Sequence, residues 1–395
     1  MKVLICNTLK EKGGAAKSAI RIKEAVERFE EVNAQYVYLY ENGEEKSSII
    51  PKIDALPKLL FPKYRKFPFS CSIFSFGGKS YIKKYSPEIL HLNYINMGMF
   101  SIKEIGDVQL PIVWTLHDAW TFTGGCHLIK DCTNYKKENF KSQPLSSRSN
   151  FDLSTHILRL KEKHWKNKNM VFVCPSYWMA KEAKESYLLQ NKKILVIRNP
   201  LNTDIYKPTD RLLAREKLGL KKDGKYILFG SVDPLKDKNK GFEFLKEALS
   251  KIKNPSDITL VMFGTDEVPQ IDRVEVKTVG YITNEQDLAE LYSAMNATVV
   301  PSISENLPNV LIESISCGTP GVAFAVGGIP EIIENDFLGK TVKPFNIEML
   351  ARALEEVLEN SSAFKREKMH THIENNYGYQ TVGKQYLNLY KSLVS

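Results

Sequence analysis

The chain has 395 residues and a formal net charge of +9 at pH 7, with 43% hydrophobic and 26% charged residues. This composition excludes a mainly disordered chain, and no apolar run is long enough for a membrane span or a signal-peptide core. Residues 1–200 hold 32 basic and 19 acidic residues (+13), whereas residues 201–395 hold 23 and 27 (−4). The lack of a long apolar run favours a cytoplasmic protein, and the division of charge favours two units with different partners.

Short apolar segments alternate with helical patterns, in two series. The first series of predicted strands is Val3–Cys6, Tyr36–Tyr40, Ile89–Asn93, Ile112–Leu116, Val171–Cys174 and Ile194–Arg198. The second is Tyr226–Gly230, Ile258–Gly264, Glu275–Gly280, Ala297–Pro301 and Gly321–Val326. Continuous apolar strands between helices are typical of parallel sheets covered on both faces. We predict two doubly wound α/β domains, residues 1–199 and 200–378, and a terminal amphipathic helix over 379–395.

Two glycines, Gly13 and Gly14, separate the first strand from the first helix. Glycine lets a ligand approach the backbone, and the N-terminus of the following helix attracts phosphate. The spacing is neither that of a dinucleotide-binding fingerprint nor that of a Walker motif. A phosphate loop and a tight turn therefore remain alternatives here.

Polar residues also end the fourth strand, where His117 and Asp118 follow an apolar run. Open α/β sheets bind ligands at the carboxyl ends of their strands. His117 is therefore either a site residue or a structural histidine with internal partners.

A lysine-rich loop follows the first strand of the second domain. Lys240 stands directly before Gly241 and the next helix, where a lysine can clamp phosphate. Lys236 and Lys238 are expected to be solvated loop charges.

The segment from Pro301 to Glu313 is the most informative in the chain. Pro308 is placed to begin a helix and Gly318 to end it. Glu313 is the only charge inside this apolar helix, and Glu305 lies eight positions earlier in the preceding loop. A buried carboxylate needs donors, which the ribose hydroxyls of a nucleotide would supply. The alternative is an internal arginine or backbone partner.

This segment resembles the Glu-x₇-Glu motif of glycosyltransferase family 4, the retaining group 1 transferases of GT-B fold. Supporting matches are the Gly13-Gly14 loop, Thr115–Asp118, Asn199-Pro200, Lys240-Gly241, Cys317–Pro320 and Gly327–Glu331. Residues 118–127 resemble the subgroup that builds bacterial exopolysaccharides, capsules and O-antigens.

The resemblance implies roles for the second domain. Glu313 would bind the ribose of a nucleotide sugar, and Glu305 would lie beside the donor sugar. Asn306 and Leu307 would contact sugar and phosphate through their backbone. Lys240 would neutralise the leaving diphosphate, so that no divalent metal and no cofactor is expected.

The first domain would mainly bind the acceptor. Gly13 and Gly14 would approach the diphosphate, and His117 would contact the donor sugar. In this fold the two domains face a cleft, and the terminal helix crosses back to the first domain.

Two departures from the family pattern stand out. Ser231 occupies a donor-site position where many relatives have an arginine. Of two cysteine pairs that are frequent in the subgroup, only Cys126 and Cys132 remain, which excludes a four-cysteine zinc site. Metal binding by Cys126, His127 and Cys132 is a minor alternative.

The first half also contains basic, aromatic-rich segments. Between Ala55 and Pro87 there are seven basic residues and no acid. Arg159, Lys161, Lys163, Lys166 and Lys168 form a second cluster around Trp165. Both clusters suit an anionic membrane surface, with solvated lysine faces as the alternative. No nucleic-acid-binding module accompanies them, so no nucleic-acid partner is expected.

The resemblance implies a retaining transfer of sugar from a nucleotide-diphosphate sugar to a lipid-linked saccharide in bacterial surface polysaccharide synthesis. The protein would be cytoplasmic, with peripheral attachment to the inner membrane face. The alternatives are a nucleotide-sugar epimerase of related fold and a non-catalytic nucleotide-sugar-binding subunit.

Overall fold

A computed structural model of the chain describes residues 1–41, 44–131, 135–136 and 152–394. The chain forms two compact units, one of Met1–Pro200 with Val382–Ser395 and the other of Leu201–Thr381. Each unit contains one six-stranded sheet in which all pairings are parallel. The predicted class of two doubly wound α/β domains is therefore confirmed.

The first sheet has the strand order β2-β1-β3-β4-β5-β6. Its strands are β1 Lys2–Cys6, β2 Asn33–Val37, β3 Ile89–Leu92, β4 Ile112–Thr115, β5 Met170–Cys174 and β6 Lys193–Val196. Strand β2 begins and ends three residues earlier than predicted. The aromatic residues Tyr38 and Tyr40 have high strand propensity, but they follow the ladder that β2 forms with β1.

Helices cover both faces of this sheet, which explains its continuous apolar strands. They are α1 Gly14–Glu27, α2 Glu44–Ser47, α3 Ile50–Leu59, α4 Gly78–Tyr85, α5 Ile102–Asp107, α6 Leu153–Trp165 and α7 Tyr177–Glu185. Alternate residues of β1 point to opposite faces, so that Val3 and Ile5 pack in one core and Leu4 and Cys6 in the other.

The second sheet has the order β12-β11-β10-β7-β8-β9. Its strands are β7 Lys225–Gly230, β8 Ile258–Phe263, β9 Glu275–Thr278, β10 Ala297–Val300, β11 Gly321–Phe324 and β12 Gly339–Val342. The edge strand β12 was not predicted from the sequence. It is short and has only one large apolar residue, Val342, so it lacks the pattern that marks the central strands.

The helices of the second unit lie between these strands and after them. They are α8 Arg211–Lys217, α9 Phe242–Lys251, α10 Glu285–Ala294, α11 Asn309–Ser316, α12 Ile347–Glu359 and α13 Arg366–Tyr377. Helix α11 begins one residue later than predicted, with Pro308 at its N-cap. Gly318 follows its end with φ +78°, a left-handed conformation that favours glycine.

The terminal helix, α14 (Tyr379–Val394), packs on the first unit from Val382 onward. Val382, Tyr386 and Tyr390 are fully buried in the core that contains Val3 and Ile5 of β1. The Tyr390 hydroxyl lies 2.6 Å from His91 Nδ1 on β3. The terminal helix thus returns to the first unit, as the resemblance implied. Among the described residues, no helix combines the length and apolar character needed to span a bilayer.

Candidate active site

In the second unit, Lys240 and Glu305 form an ion pair. Lys240 Nζ lies 2.6 Å from Glu305 Oε1, and the Ser302 hydroxyl donates to the same oxygen at 3.2 Å. Both charged side chains are mostly buried, with 27% and 14% exposed. The Glu305 charge raises the pKa of Lys240 above its ordinary value, which keeps the ammonium charged.

A side-chain and a backbone hydrogen bond hold the loop after β10 against the lysine loop. Asn239 Nδ2 donates to the Ser304 carbonyl, and the Ile303 N–H donates to the Asn239 carbonyl, both at 2.8 Å. Gly241 has φ +75°, and a Cβ at this position would lie 1.9 Å from the Pro301 carbonyl oxygen. A larger residue cannot fit there, so the two loops keep a fixed spacing.

The opposite side of the same loop contacts the segment after β11. Gly327 has φ +57°, and a Cβ there would lie 1.6 Å from the Glu305 carbonyl oxygen. The Gly328 N–H donates to the Asn306 carbonyl at 2.9 Å. Leu307 is buried and packs in the core of the unit. Asn306 and Leu307 are the two residues predicted to contact the donor through their backbone. Asn306 is half-buried, whereas Leu307 anchors the loop in the core.

Glu313 lies in α11 with 2% of its surface exposed. The Tyr292 hydroxyl, from α10, donates to Glu313 Oε2 at 2.9 Å. Burial, together with the Glu313 charge, raises the pKa of Tyr292 well above its ordinary value, so the phenol remains a donor. Sequence reasoning missed this partner, because Tyr292 also fits the apolar stripe of its helix. A carboxylate has about four acceptor positions, and the Tyr292 phenol occupies one of them.

Ser231 directly follows β7 and is half-buried. Its hydroxyl donates to the carbonyl of the neighbouring Val232 at 3.4 Å. Lys236 and Lys238 are exposed, whereas Lys240 is held by Glu305. Of these three lysines, Lys240 is thus the one whose side chain an ion pair with a described residue holds in place.

In the first unit, Gly13 precedes α1 with φ +89° and ψ 166°. A Cβ at Gly13 would meet no atom within 4 Å. The backbone at the N-terminus of α1 is therefore open to an approaching group, as a phosphate loop requires. Gly14 is the first residue of the helix itself.

His117 follows β4 and is half-buried. Its Nε2 lies 2.9 Å from Asn93 Oδ1, so the protonated Nε2 donates to the amide oxygen and Nδ1 holds the lone pair. Burial lowers the pKa of His117 to about 4, so the imidazole is neutral near pH 7. Asn93, which follows β3, was not predicted as a site residue. The neighbouring Asp118 pairs with His127 at 2.7 Å.

The remaining sequence candidates have other surroundings. His127 uses one ring nitrogen on Asp118 and lies 2.8 Å from Ser70 Oγ through the other. Cys126 is buried, and Cys132 lies outside the described residues. Within the part of the chain that the structure describes, no cluster of three or more His, Cys, Asp or Glu side chains could hold a metal ion.

The predicted surface location of Lys161 was wrong. Lys161 is 0% exposed, and its Nζ donates to the carbonyls of Trp120 and Thr123, at 2.9 Å for the latter. The ammonium also lies 3.6 Å from the centre of the Trp120 ring. Burial lowers its pKa well below the ordinary value. Lys161 is thus an internal cross-link of the loop after His117, not a membrane contact.

Comparisons with known proteins agree with this architecture. The profile of glycosyltransferase family 4 matches residues 12–205, and that of the group 1 glycosyl transferases matches residues 210–378. A D-inositol 3-phosphate glycosyltransferase of Mycolicibacterium smegmatis is 31% identical over 199 residues, covering 46% of this chain. The matched stretch is 44% of that relative's length, so the chain spans less than half of it.

Two solved structures share the fold over the whole chain. A sucrose-phosphate synthase from Thermosynechococcus elongatus has a TM-score of 0.70 at 18% identity, covering 100% of this chain and 99% of that one. Anabaena HepE in complex with UDP-glucose has a TM-score of 0.65 at 17% identity, covering 100% of both chains. Between them, the two profiles match nearly all of the chain. The chain belongs to the group 1 glycosyltransferases of family 4 and has their GT-B fold.

Proposed function

We propose that the protein is a retaining glycosyltransferase that moves a sugar from a nucleotide-diphosphate sugar to a saccharide acceptor. The observation that carries this proposal is the Lys240–Glu305 ion pair on a clamped loop, followed by the buried Glu313. Family membership supports sugar transfer as the reaction. The arrangement in the second unit supports a donor that has both a diphosphate and a ribose.

In the proposed donor complex, Glu313 accepts hydrogen bonds from the ribose hydroxyls, with Tyr292 fixing one of its oxygens. The backbone of Asn306 and Leu307 contacts the sugar and phosphate. When the bond between the anomeric carbon and the phosphate oxygen breaks, negative charge accumulates on the diphosphate. The Lys240 ammonium neutralises this charge, aided by the N-terminus of α9. This lysine takes the place that a divalent cation fills in other transferases.

Retention of configuration requires the acceptor oxygen to attack the face that the phosphate leaves. We infer that the leaving phosphate takes the proton of the acceptor hydroxyl, so that no protein nucleophile is needed. The state of Glu305 supports this inference. Its carboxylate accepts from Lys240 and Ser302, which orients the lysine and leaves the carboxylate a poor nucleophile.

We propose that the first unit binds the acceptor and that His117, Gly13 and Gly14 contact the donor, as the family pattern implies. His117 is neutral near pH 7, so its ring is suited to a hydroxyl of the donor sugar rather than to a phosphate. The open backbone at Gly13 is suited to the diphosphate, and Gly14 follows it as the first residue of α1. These roles rest on the family pattern together with the surroundings of each residue.

We further propose a lipid-linked saccharide acceptor, as in bacterial surface polysaccharide synthesis, and peripheral attachment at the inner membrane face. In the segment 62–85, Phe74 and Phe76 are 44% and 47% exposed. Lys66, Lys83 and Lys84 are exposed in the same segment. Exposed aromatic and basic side chains together favour an anionic lipid surface.

The donor proposal is tested by thermal unfolding of the protein with a panel of nucleotide sugars. A bound donor raises the melting temperature by mass action, and the Glu313→Gln variant is expected to lose that rise. Glu359→Gln, a matched change at an exposed position at the end of α12, should keep it. If no nucleotide sugar raises the melting temperature of the wild-type protein, the proposed function is wrong.

The reaction itself is tested with the donor that binds. NMR of the product should show the anomeric configuration of the donor, and EDTA should leave the rate unchanged. An isomerised donor formed without acceptor would instead identify an epimerase, and binding without turnover would identify a non-catalytic subunit.

Membrane attachment is tested by sedimentation with phosphatidylglycerol vesicles. Changing Lys66, Lys83 and Lys84 together to Gln should release the protein, and so should raised salt. The control is the matched triple change on the second unit, at the exposed Lys221, Lys222 and Lys225. Equal release by both triple variants, or binding that salt does not affect, contradicts this part of the proposal.

A further inference from the structure

A chain of hydrogen bonds fixes the carboxylate of Asp118 at the carboxyl end of β4. The Trp120 N–H donates to Oδ1 at 2.9 Å, and His127 Nδ1 lies 2.7 Å from Oδ2. On its other side, His127 Nε2 lies 2.8 Å from Ser70 Oγ. Nδ1–H donates to the carboxylate, and Nε2 on the other side of the ring pairs with the Ser70 hydroxyl. Asp118 is thereby held at both oxygens.

The backbone reinforces this chain. The His127 N–H donates to the Pro68 carbonyl at 3.2 Å, and the Ser70 N–H donates to the Gly125 carbonyl at 2.9 Å. Gly125 has φ +120°, and a Cβ there would lie 2.5 Å from the Phe69 ring. The two segments can approach this closely only with glycine at that position.

The fixed carboxylate remains accessible. The Asp118 side chain is 25% exposed, whereas that of His127 is 10% exposed. Asp118 lines one depression with His117, Tyr94 and Asn96. The depression, at about 10 Å³, has room for one group of the size of a hydroxyl, which would meet the carboxylate beside the histidine that we assign to the donor sugar.

The chemistry of the depression selects its ligand. An ionised carboxylate only accepts hydrogen bonds, and it has more acceptor positions than the two that internal donors occupy. Burial raises the pKa of Asp118, but the His127 ring and the Trp120 N–H outweigh that effect, and the net pKa lies below the ordinary value. None of the described residues that line the depression is a lysine or an arginine. A hydroxyl is therefore favoured there, and a phosphate or a carboxylate is repelled.

We propose that Asp118 binds a hydroxyl of a neutral acceptor sugar, and that His127 and Ser70 are its positioning residues. This inference rests on the proposed function, since it names the acceptor chemistry of the same enzyme. It adds a specificity: the sugar ring seated at Asp118 is not a uronic acid and carries no phosphate.

The test is a saturation-transfer NMR titration of the full-length protein. The probes are the methyl glycosides of glucose, galactose and mannose and the three corresponding uronic acids. We expect a neutral glycoside to bind, and Asp118→Asn to weaken it about tenfold, as for loss of a charge-assisted hydrogen bond. His127→Gln keeps the charge of Asp118 but removes the ring that orients its carboxylate, so this change should weaken glycoside binding about threefold. Asp107→Asn, an exposed matched change on the same unit, should have no effect.

Melting temperatures show whether each variant is folded. If Asp118→Asn does not fold, the His127→Gln variant still decides the test. The proposal is overturned if no neutral glycoside binds, if His127→Gln and Asp118→Asn bind it like the wild type, or if a uronic acid binds more tightly. Any of these results with intact nucleotide-sugar binding leaves the proposed function standing. Absence of nucleotide-sugar binding in the wild type contradicts the proposed function instead.

Discussion

The two units place their polar residues on the chain in contrasting ways. In the second unit, Glu305 and Glu313 lie eight positions apart on one loop and the helix that follows it. In the first unit, Asp118 and His127 lie nine positions apart, but their partner Ser70 comes from a distant segment that only the folded chain brings to them. A contiguous motif can be recognised by spacing, whereas a dispersed cluster has no spacing to recognise. The following variants compare what the polar residues of each unit contribute to activity and stability.

The largest effect is expected from Lys240→Met in the second unit. This change removes the one cation that the structure fixes beside Glu305 while keeping the length of the side chain. Loss of a charge that stabilises a leaving group costs about 10²–10³ in kcat. Steady-state kinetics with the donor identified by thermal shift would measure it.

Lys238→Met is the matched control, because Lys238 is exposed two positions earlier. Its kcat should stay within about twofold of the wild type, as for an exposed surface change. A loss in Lys238→Met as large as that in Lys240→Met would mean that phosphate binding is spread over the loop and not local to Lys240.

In the first unit, the largest effect concerns stability and pH. His91 is fully buried between Tyr390 and Thr115, and burial lowers its pKa to about 3. The folded state therefore binds fewer protons than the unfolded state below about pH 6.5, so stability falls as the pH falls. Between pH 7 and pH 5 this loss is about 2 kcal/mol. Between pH 7 and pH 5, the free energy of unfolding measured with urea should fall by about 2 kcal/mol less in His91→Gln than in the wild type.

Thr115→Val is the control for this experiment. It removes one hydrogen-bond partner of His91 but keeps the ring, so stability should drop at both pH values with the slope preserved. Burial raises the pKa of Asp54 to about 6, so this residue makes the folded state more stable as the pH falls. The wild type and His91→Gln both contain Asp54, so its effect cancels in their comparison. Equal slopes in the wild type and His91→Gln would contradict the assignment of the pH dependence to His91.

The fold was largely predictable because its strands are buried on both faces. Continuous apolar segments such as residues 112–115 and 297–300 stand out from their surroundings, and parallel sheets require them. Edge strands have no such requirement. Of the four edge strands, β2 was displaced and β12 was missed, whereas β6 and β9 lie close to their predicted positions.

The site was predictable only where one residue type has no good structural reason to be present. A lone glutamate in an apolar helix, such as Glu313, signals a function or a buried partner. Tyr292 carries no such signal, because a tyrosine in an apolar stripe is ordinary. Lys161 misled for the same reason: lysines are usually exposed, and only the tertiary fold supplies the carbonyls that bind its ammonium.

A smaller effect is expected from Tyr292→Phe in the second unit. The change removes the donor to Glu313 without changing the shape of the core, and leaves a buried carboxylate with one hydrogen bond fewer. The free energy of unfolding should fall by about 1–3 kcal/mol. Tyr281→Phe, whose exposed hydroxyl donates to Asp233, should change it by less than about 0.5 kcal/mol. Similar losses in both variants would show that the Glu313 carboxylate does not depend on this phenol.

The smallest effect is expected from Ser231→Arg, which restores the residue that many relatives have. Ser231 is half-buried after β7 and its hydroxyl makes only a long bond to Val232, so little is lost by replacing it. If Lys240 alone neutralises the diphosphate incompletely, an added guanidinium should lower the donor KM about threefold to fivefold, as for one partly exposed charge contact. Ser231→Gln, similar in length but uncharged, should leave KM unchanged. An unchanged KM in Ser231→Arg would mean that Lys240 already neutralises the diphosphate. The positive charge that the second unit uses for phosphate would then be that of Lys240 alone.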